Sequence, residues 1–337
     1  MKHASPGIAL AALALTFPAY AQQSDIPAVA EHIAIATKAA KTDELGPLGL
    51  CKTATPANGP DFMANYNAMS KLPPLPPMKV MDELYFLGNR WTSAWAIKTS
   101  AGLIIIDSLD NAKEARQYIE DGLHTLGLNP ADIKYVVVSH AHGDHYGGAE
   151  YLKEKFHPRI VMSDIDWKVF EEPNFHSSRP LFDPPPKRDM AVNDGDVITL
   201  GDTTIKLYVI PGHTLGTLAT VFTVHDHGQA HRAVAWGGTA YNFGPLPDRL
   251  QIYYDTTAKY RGVMKQENAD IFLSNHVSFD NAIAKMATLK ERKSGEPNPF
   301  VVGQDGVQRF LTILGECALA TKAYVEAGQP GKEAVKK

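Results

Sequence analysis

The chain has 337 residues, of which 44% are hydrophobic and 21% are charged, an ordinary globular balance with enough length for one large domain or two smaller ones. Its formal net charge of −4 provides no positive surface for nucleic acid or for an anionic membrane. We therefore expect small-molecule partners and no nucleic-acid partner.

The first 21 residues are typical of a secretory signal peptide. Lys2 supplies a positive start, residues 8–17 supply an apolar stretch, and Ala19, Tyr20 and Ala21 form a small-x-small cleavage site. This stretch is too short to be a permanent membrane anchor. The alternative is an ordinary N-terminal helix. Cleavage near Ala21 predicts a periplasmic or secreted protein without a membrane anchor.

Residues 22–79 form an N-terminal extension. A proline start and apolar residues at helical spacing predict a helix over 27–41, and the proline-rich segment 71–80 predicts a stiff connector. The two cysteines, Cys51 and Cys317, could pair in an oxidising compartment and tie the extension to the last helix. Two buried free thiols are an equal alternative, because the sequence does not show whether the cysteines meet.

Short apolar strands alternate with helices from about Met81 onwards, and the main domain is expected to cover 80–328, followed by a tail at 329–337. The predicted strands cover 84–88, 93–99, 102–108, 134–139, 196–200, 204–210 and 218–224. The predicted helices cover 111–127, 147–156 and 306–328. The histidines between 225 and 231 lie at a predicted hairpin turn, where we expect solvated side chains.

Three apolar strands each end in a histidine. These residues are His140 after YVVVS, His213 after YVIPG and His276 after IFLSN. Binding sites in α/β sheets lie in loops beyond the carboxyl ends of strands. We therefore expect the three imidazoles to meet in space, although any one of them alone would be more simply explained as a hydrogen-bonded loop residue.

Four potential metal ligands lie within the six-residue segment HAHGDH: His140, His142, Asp144 and His145. Imidazole and carboxylate together suit zinc. The first two project to one side of an extended segment, and a turn at Gly143 would bring the other two to an adjacent position. So short a loop favours two metal ions, with His213 and His276 completing one three-residue ligand set each. Three protein ligands plus solvent are typical of a catalytic zinc site.

The segments HAHGDH, PGHTLGT at 211–217 and SNH at 274–276 resemble the metallo-β-lactamase fold superfamily. PGHTLGT, with NPFVVGQDGVQRF at 298–310, is further similar to the third subclass of class B β-lactamases, which uses only histidine and aspartate ligands. The resemblance covers about residues 80–328. It implies an αββα sandwich of two mixed β-sheets flanked by helices, with the active site at the edge between the sheets.

The same resemblance assigns the ligands to two zinc ions per chain. It implies that the first zinc is bound by His140, His142 and His213, and that the second is bound by Asp144, His145 and His276. These six residues are also the candidate catalytic residues, with Asp144 orienting the attacking water. Asp107, at the end of a predicted strand, is expected to hydrogen-bond the ligand loop, and a simple turn residue is the alternative.

Members of the superfamily differ in the residues of the segment that corresponds to 235–244. Glyoxalase-like and lactonase-like members place a metal-bridging aspartate here, whereas this chain has Gly237, Gly238 and Thr239. This favours the β-lactamase interpretation, unless a shifted alignment brings Asp248 to the position. Related enzymes hold the substrate carboxylate with serines from this segment, so Thr239, Tyr241 and Asn242 are the candidate substrate-binding residues.

Two further features bear on the substrate. Tyr146 follows the ligand motif where small residues are common in this subclass, so we expect it to influence substrate preference. The segment 164–190 is either a wall over the substrate or ordinary packing of its aromatic residues Trp167, Phe170 and Phe175. Arg179 and Lys187 are candidates for binding a substrate carboxylate.

The predicted function is a zinc-dependent hydrolase that opens the β-lactam ring of penicillins, cephalosporins and carbapenems with a zinc-bridging hydroxide. One alternative keeps the fold and hydrolyses another ester, a lactone or a thioester. The second alternative is a non-catalytic exported zinc-binding protein. Retention of all six potential ligands argues against a pure scaffold.

Overall fold

The computed structural model describes residues 25–41, 44–51, 68–69, 71–173, 175 and 181–328. The predicted signal peptide, the tail at 329–337 and Arg179 lie outside the described residues. The strands are β1 (Met78–Lys79), β2 (Leu84–Phe86), β3 (Trp95–Thr99), β4 (Gly102–Ile106), β5 (Ile133–Val137), β6 (Arg159–Ser163), β7 (Met190–Val192), β8 (Val197–Leu200), β9 (Thr203–Val209), β10 (Leu218–Asp226), β11 (Gln229–Trp236) and β12 (Ile271–Ser274).

The helices are α1 (Pro27–Ala39), α2 (Leu45–Leu48), α3 (the consecutive segments Ala112–Glu114, Ala115–Glu120 and Asp121–Thr125), α4 (Gly143–Tyr146), α5 (Ala149–Phe156), α6 (Asp164–Phe170), α7 (Pro247–Gln266), α8 (Ala282–Glu291) and α9 (Gly303–Glu326). The middle segment of α3 is a π-helix. None of the described helices is long and apolar enough to span a bilayer.

The strands form two mixed sheets. The first has the order β1-β2-β3-β4-β5-β6-β7, antiparallel as far as β4 and parallel beyond it. The second has the order β12-β11-β10-β9-β8, in which β11 and β12 are parallel and the other pairs are antiparallel. One apolar core lies between the sheets, and a further core covers the outer face of each sheet. This arrangement confirms the predicted αββα sandwich of two mixed sheets flanked by helices.

The run GLIII in β4 shows how the sequence produces these layers. Ile104 and Ile106 point into the core between the sheets, whereas Leu103 and Ile105 point into the core beneath the helices. Side chains alternate across a strand, so a strand covered on both faces needs an unbroken apolar run. The continuous hydrophobicity of this segment therefore reflects its central position in the sandwich.

The N-terminal extension is attached to the main domain. Helix α1 packs along α9, and Cys51 forms a disulfide with Cys317 on α9. This finding decides between the two expectations for the cysteines in favour of pairing. Nearby, the fully buried carboxylate of Glu44 binds the Arg309 side chain, with 2.8 Å between Oε1 and Nη2.

Five of these helices were not predicted from the sequence: the short α2, α4 and α6, and the longer α7 and α8. Helix α7 is rich in tyrosine, threonine and arginine, which gives it neither a strong helical propensity nor a clear apolar stripe. The hairpin turn predicted between 225 and 231 is present, and His227 and Gly228 form its two-residue loop with φ of 51° and 82°. Two positive φ values are typical of the type I′ turn that suits the twist of a hairpin.

Candidate metal centre

The six potential ligands lie at one edge of the sandwich, where strands of both sheets end. His140, His142, Asp144 and His145 follow β5 of the first sheet, and His213 and His276 follow β9 and β12 of the second. They form two groups, His140 with His142 and His213, and Asp144 with His145 and His276. These are the two sets that the sequence predicted, and we call them the first set and the second set.

The nitrogens of the first set form a compact triangle. His140 Nε2, His142 Nδ1 and His213 Nε2 are each 2.9 Å from the other two. Zinc binds imidazole nitrogens at about 2.0–2.1 Å, so one ion can contact all three atoms of such a triangle.

The outer hydrogen bonds of two rings show which nitrogen carries the proton. His213 Nδ1 donates to the backbone carbonyl of Ala240 at 2.5 Å. Ser139 Oγ donates to Asp107 Oδ2 at 2.9 Å, so the same oxygen accepts a proton from His140 Nδ1 at 2.9 Å. Both Nε2 atoms therefore present lone pairs to each other, an arrangement that a cation between them would stabilise.

The second set converges in the same way with wider spacing. Asp144 Oδ2 is 3.4 Å from His145 Nε2 and 3.6 Å from His276 Nε2. His145 Nδ1 donates to Asp107 Oδ2 at 2.8 Å, and His276 Nδ1 donates to the Trp91 carbonyl at 3.1 Å. His276 Nε2 then presents a lone pair to the Asp144 carboxylate, and a metal ion bound here would satisfy both groups and take the place of the proton that His145 otherwise holds.

Burial controls the charge state of most of these imidazoles. It lowers the pKa of His140 well below its usual range, that of His213 to about 3 and that of His276 to about 4, with further lowering by neighbouring imidazoles. These rings are neutral at physiological pH, and neutral imidazole is the form that binds metal.

His145 and Asp144 behave as a buried ion pair. Burial lowers the pKa of His145, but the Asp144 and Asp107 carboxylates outweigh it and raise this pKa to about 10. Burial opposes ionisation of Asp144, yet His145 and His276 hold its pKa well below the usual range. The second set therefore places the ionised Asp144 carboxylate beside the His145 ring, which carries a positive charge in the absence of metal.

Asp107 contacts the supports of both sets. Its Oδ1 accepts from the Ser139 backbone N–H at 2.7 Å, and its Oδ2 accepts from Ser139 Oγ and His145 Nδ1. The residue has a left-handed φ of 62°, which aspartate tolerates better than most residues. The predicted hydrogen bonds from Asp107 to the ligand loop are thus present.

The glycine of HAHGDH is required by close packing. Gly143 begins α4, and a Cβ at this position would overlap with the ring of Phe182. Phe182 belongs to a segment that is fixed on the start of α3, where Asn111 Nδ2 donates to Leu181 O at 3.0 Å and the Ala112 N–H donates to Asp183 at 2.7 Å. The ligand loop therefore turns against a fixed aromatic side chain.

Tyr241 and Thr239, two of the predicted substrate-binding residues, are both buried. Tyr241 is 2% exposed, its hydroxyl donates to the carbonyl of Leu314 in α9, and its ring packs edge-on against Tyr253. Thr239 is buried with its hydroxyl 3.4 Å from Ser274 Oγ. Asn242 lies on the partly exposed rim, and its Oδ1 has no hydrogen-bond partner within the described part of the chain.

Tyr146 and the aromatic residues after β6 form core packing rather than a wall over the substrate. Tyr146 is buried against Phe170 and Phe175, and Trp167 is buried with its Nε1 donating to Met190 O at 3.0 Å. The Tyr146 ring lies in the core beneath the first sheet's helices, and its influence on substrate preference stays a prediction. Lys187 is exposed.

The sequence analysis missed two residues that contact the ligands. Asn275 is buried directly before His276, donates to the carbonyl of Gly237, and lies 3.4 Å from His145 Nε2 through its Nδ2. Trp91 accepts from His276 and packs edge-on against its ring. The segment SNH already contained Asn275, but its contacts depend on where β11 and β12 end in space.

A family model for the metallo-beta-lactamase superfamily matches residues 88–225. A protein named hydroxyacylglutathione hydrolase from Rhodopseudomonas palustris (strain BisA53) is 33% identical over 221 residues, which are 58% of this chain and 74% of the relative. The chain belongs to the metallo-beta-lactamase superfamily. A second relative of that name, from R. palustris (strain BisB5), is 32% identical over 226 residues and 74% of its length.

Solved structures of the superfamily share the fold. BJP-1, a subclass B3 metallo-beta-lactamase of Bradyrhizobium japonicum, is 30% identical with a TM-score of 0.64, over 72% of this chain and 92% of that one. Native FEZ-1 metallo-beta-lactamase from Legionella gormanii is 26% identical with a TM-score of 0.63, over 75% and 96%. This superfamily member is accordingly a metallo-hydrolase, and the two ligand sets are its candidate metal centre.

Proposed function

We propose that this superfamily member is an exported zinc-dependent hydrolase with two zinc ions per chain, which opens the β-lactam ring of penicillins, cephalosporins and carbapenems. The observation that carries the proposal is that no carboxylate can occupy the position from which glyoxalase-like and lactonase-like members bridge their metals. The ligands are the first set, His140, His142 and His213, and the second set, Asp144, His145 and His276.

The segment after β11 has no room for a bridging side chain. A Cβ at Gly237 would overlap with the carbonyl of Leu218, and a Cβ at Gly238 would lie 2.6 Å from two atoms of His213. Thr239 is buried, and Asp248 is an exposed residue in the first turn of α7. Neither a thiolate nor a second carboxylate is available there, so two bound metals would share no side chain from this segment.

Bound zinc supplies a nucleophile at neutral pH by lowering the pKa of coordinated water, and it polarises the scissile carbonyl. The Asp144 side chain is 19% exposed beside the second set, so its carboxylate can accept a hydrogen bond from the attacking water and orient it. Water adds to the lactam carbonyl, the C–N bond breaks and the ring nitrogen takes up the proton. Asn242 on the rim is the candidate for binding the substrate carboxylate.

A second candidate function is hydrolysis of a thioester, a lactone or another ester by the same centre. It is favoured by the 33% identity to the R. palustris protein named hydroxyacylglutathione hydrolase. The absence of a bridging carboxylate in the segment 235–244 favours the lactam reaction over this one.

Export to the periplasm or beyond is part of the proposal. The predicted signal peptide supports it, and so does the disulfide between Cys51 and Cys317, because such bonds form and persist in oxidising compartments.

The proposal is tested with purified mature protein, residues 22–337, against a panel of β-lactams, lactones and a hydroxyacylglutathione. We expect ring opening of all three β-lactam classes, loss of activity with a zinc chelator, and recovery when zinc is restored. Rapid hydrolysis of the thioester or a lactone, with no β-lactam opened, would favour the second candidate. Loss of both activities with retained folding would favour a non-catalytic zinc-binding protein.

A further inference from the structure

The carboxylate of Asp166 joins the two loops that carry the first ligand set. Its Oδ2 accepts from the backbone N–H of Ala141 at 2.9 Å and from the hydroxyl of Thr214 at 2.7 Å. Its Oδ1 accepts from the backbone N–H of Gly216 at 2.9 Å. Ala141 lies between the ligands His140 and His142, and Thr214 directly follows the ligand His213. One side chain thus holds both ligand loops.

The position of Asp166 is set by the start of α6. Ser163 caps this helix, and its Oγ accepts from the Asp166 backbone N–H at 3.1 Å. An acidic side chain three residues after a capping serine commonly folds back to the N–H of the cap residue. Here the carboxylate turns outward to the ligand loops, and the Asp166 residue is fully buried.

Gly216 provides the space for this arrangement. A Cβ at Gly216 would lie 2.5 Å from Asp166 Oδ1 and would also overlap with Ser163 Oγ. Any side chain there would displace the carboxylate from the third-ligand loop. The close approach and the three hydrogen bonds together fix the separation between the segment His140–Ala141–His142 and His213.

We infer that Asp166 is a positioning residue that sets the metal affinity of the first set separately from that of the second. The inference rests on zinc binding at the first set, which belongs to the proposed function. The rings of the second set are held by other groups, namely the Asp107 carboxylate on His145 and the Trp91 carbonyl on His276. Loss of the Asp166 contacts therefore loosens the first triangle and leaves the second set in place.

The test compares zinc affinities by chelator competition in proteins with one intact set. In a His276→Ala background, which keeps the first set, we expect Asp166→Asn to weaken zinc binding by about 10–100-fold, the range for residues that orient ligands. In a His142→Ala background, which keeps the second set, the same substitution leaves the affinity unchanged. Gly216→Ala tests the same contacts without altering charge and should repeat this pattern.

Asp164→Asn is the matched control on the same helix, because Asp164 pairs only with Lys168 and Arg188 among the contacts that the structure shows for its side chain. It should change neither affinity. Equal affinities for Asp166→Asn and Asp164→Asn, or equal weakening of both sets, would overturn the inference while leaving the proposed function intact. Failure of the unmutated protein to bind zinc at the first set would overturn both. If Asp166→Asn does not fold, the inference is tested with Gly216→Ala instead, by comparing zinc affinity in the His276→Ala and His142→Ala backgrounds.

Discussion

The metal centre and the polar cluster around Glu267 differ in whether their polar atoms find hydrogen-bond partners within the protein. Glu267 Oε1 binds Lys206 Nζ and the Tyr208 hydroxyl at 2.7 Å, and its Oε2 binds Arg232 at 2.8 Å, so an acceptor meets donors on every side. At the metal centre, imidazole lone pairs meet one another and a carboxylate. The first arrangement stabilises the fold by itself, whereas the second brings imidazole nitrogens and a carboxylate together as a cation site would.

This contrast predicts that substitutions at the two places affect different properties. Changes at the metal centre should reduce metal binding and turnover with little loss of folding stability. Changes at the Glu267 cluster should reduce stability and leave turnover unaltered.

The largest effect is expected from His145→Ala. Removing this ligand should empty the second set and lower kcat by about 100-fold or more, because the second metal and the orientation of Asp144 are lost together. Steady-state kinetics and zinc content by atomic emission measure the result, and circular dichroism confirms folding. His124→Ala, at an exposed position on α3, is the matched control. Unchanged activity in His145→Ala would contradict the assignment of the second set.

Asp107→Asn should weaken both sets, because Asp107 contacts His145 directly and His140 through Ser139. Asparagine tolerates the left-handed backbone, so the substitution removes a hydrogen-bond acceptor without straining the turn. We expect about 10–100-fold weaker zinc binding at each set, measured by chelator competition. An effect confined to one set would show that Asp107 supports only that set.

Glu267→Gln should lower the free energy of unfolding at pH 7 by about 1–2 kcal/mol, with turnover unchanged. Although burial opposes ionisation, Lys206, Tyr208 and Arg232 lower the pKa of Glu267 to about 2. The folded state therefore holds this carboxylate ionised below the pKa of the unfolded chain, and its contribution is present above about pH 4.5 and lost as the pH falls towards 2. Urea unfolding at pH 7 and at pH 3 should show the difference between the two proteins shrinking in acid. A constant difference would mean that charge is not its origin.

The smallest effect is expected from Tyr241→Phe. Loss of the hydroxyl that donates to Leu314 should cost about 1 kcal/mol of stability and leave KM for β-lactams unchanged. Asn242→Ala on the rim should instead raise KM with little change in stability. A rise in KM for Tyr241→Phe would instead show that Tyr241 contributes to substrate binding.

The metal ligands could be predicted because their signal is local. Four of the six lie within HAHGDH, and the other two directly follow apolar strands, so strand ends alone bring them to one edge. The resemblance to the superfamily supplied the sandwich and the division into two sets. The side of a loop that a residue faces has no such signal, so the burial of Tyr241 and Tyr146 in the cores could not be predicted from the sequence.

Asp166 could not be found from the sequence because its contacts are remote. Its partners Ala141 and Gly216 lie 25 and 50 residues away and are held through backbone N–H groups, which carry no mark in the sequence. Helix α7 was missed for a different reason, since its helical state depends on packing against α9 rather than on its own composition.

The disulfide between Cys51 and Cys317 also has a consequence for how the molecule is made. The two cysteines are 266 residues apart, so Cys51 leaves the ribosome long before its partner exists. At about 5–20 residues per second, this interval is on the order of ten to fifty seconds. The disulfide can therefore form only late in biogenesis, after α9 has been made and has packed against the N-terminal extension.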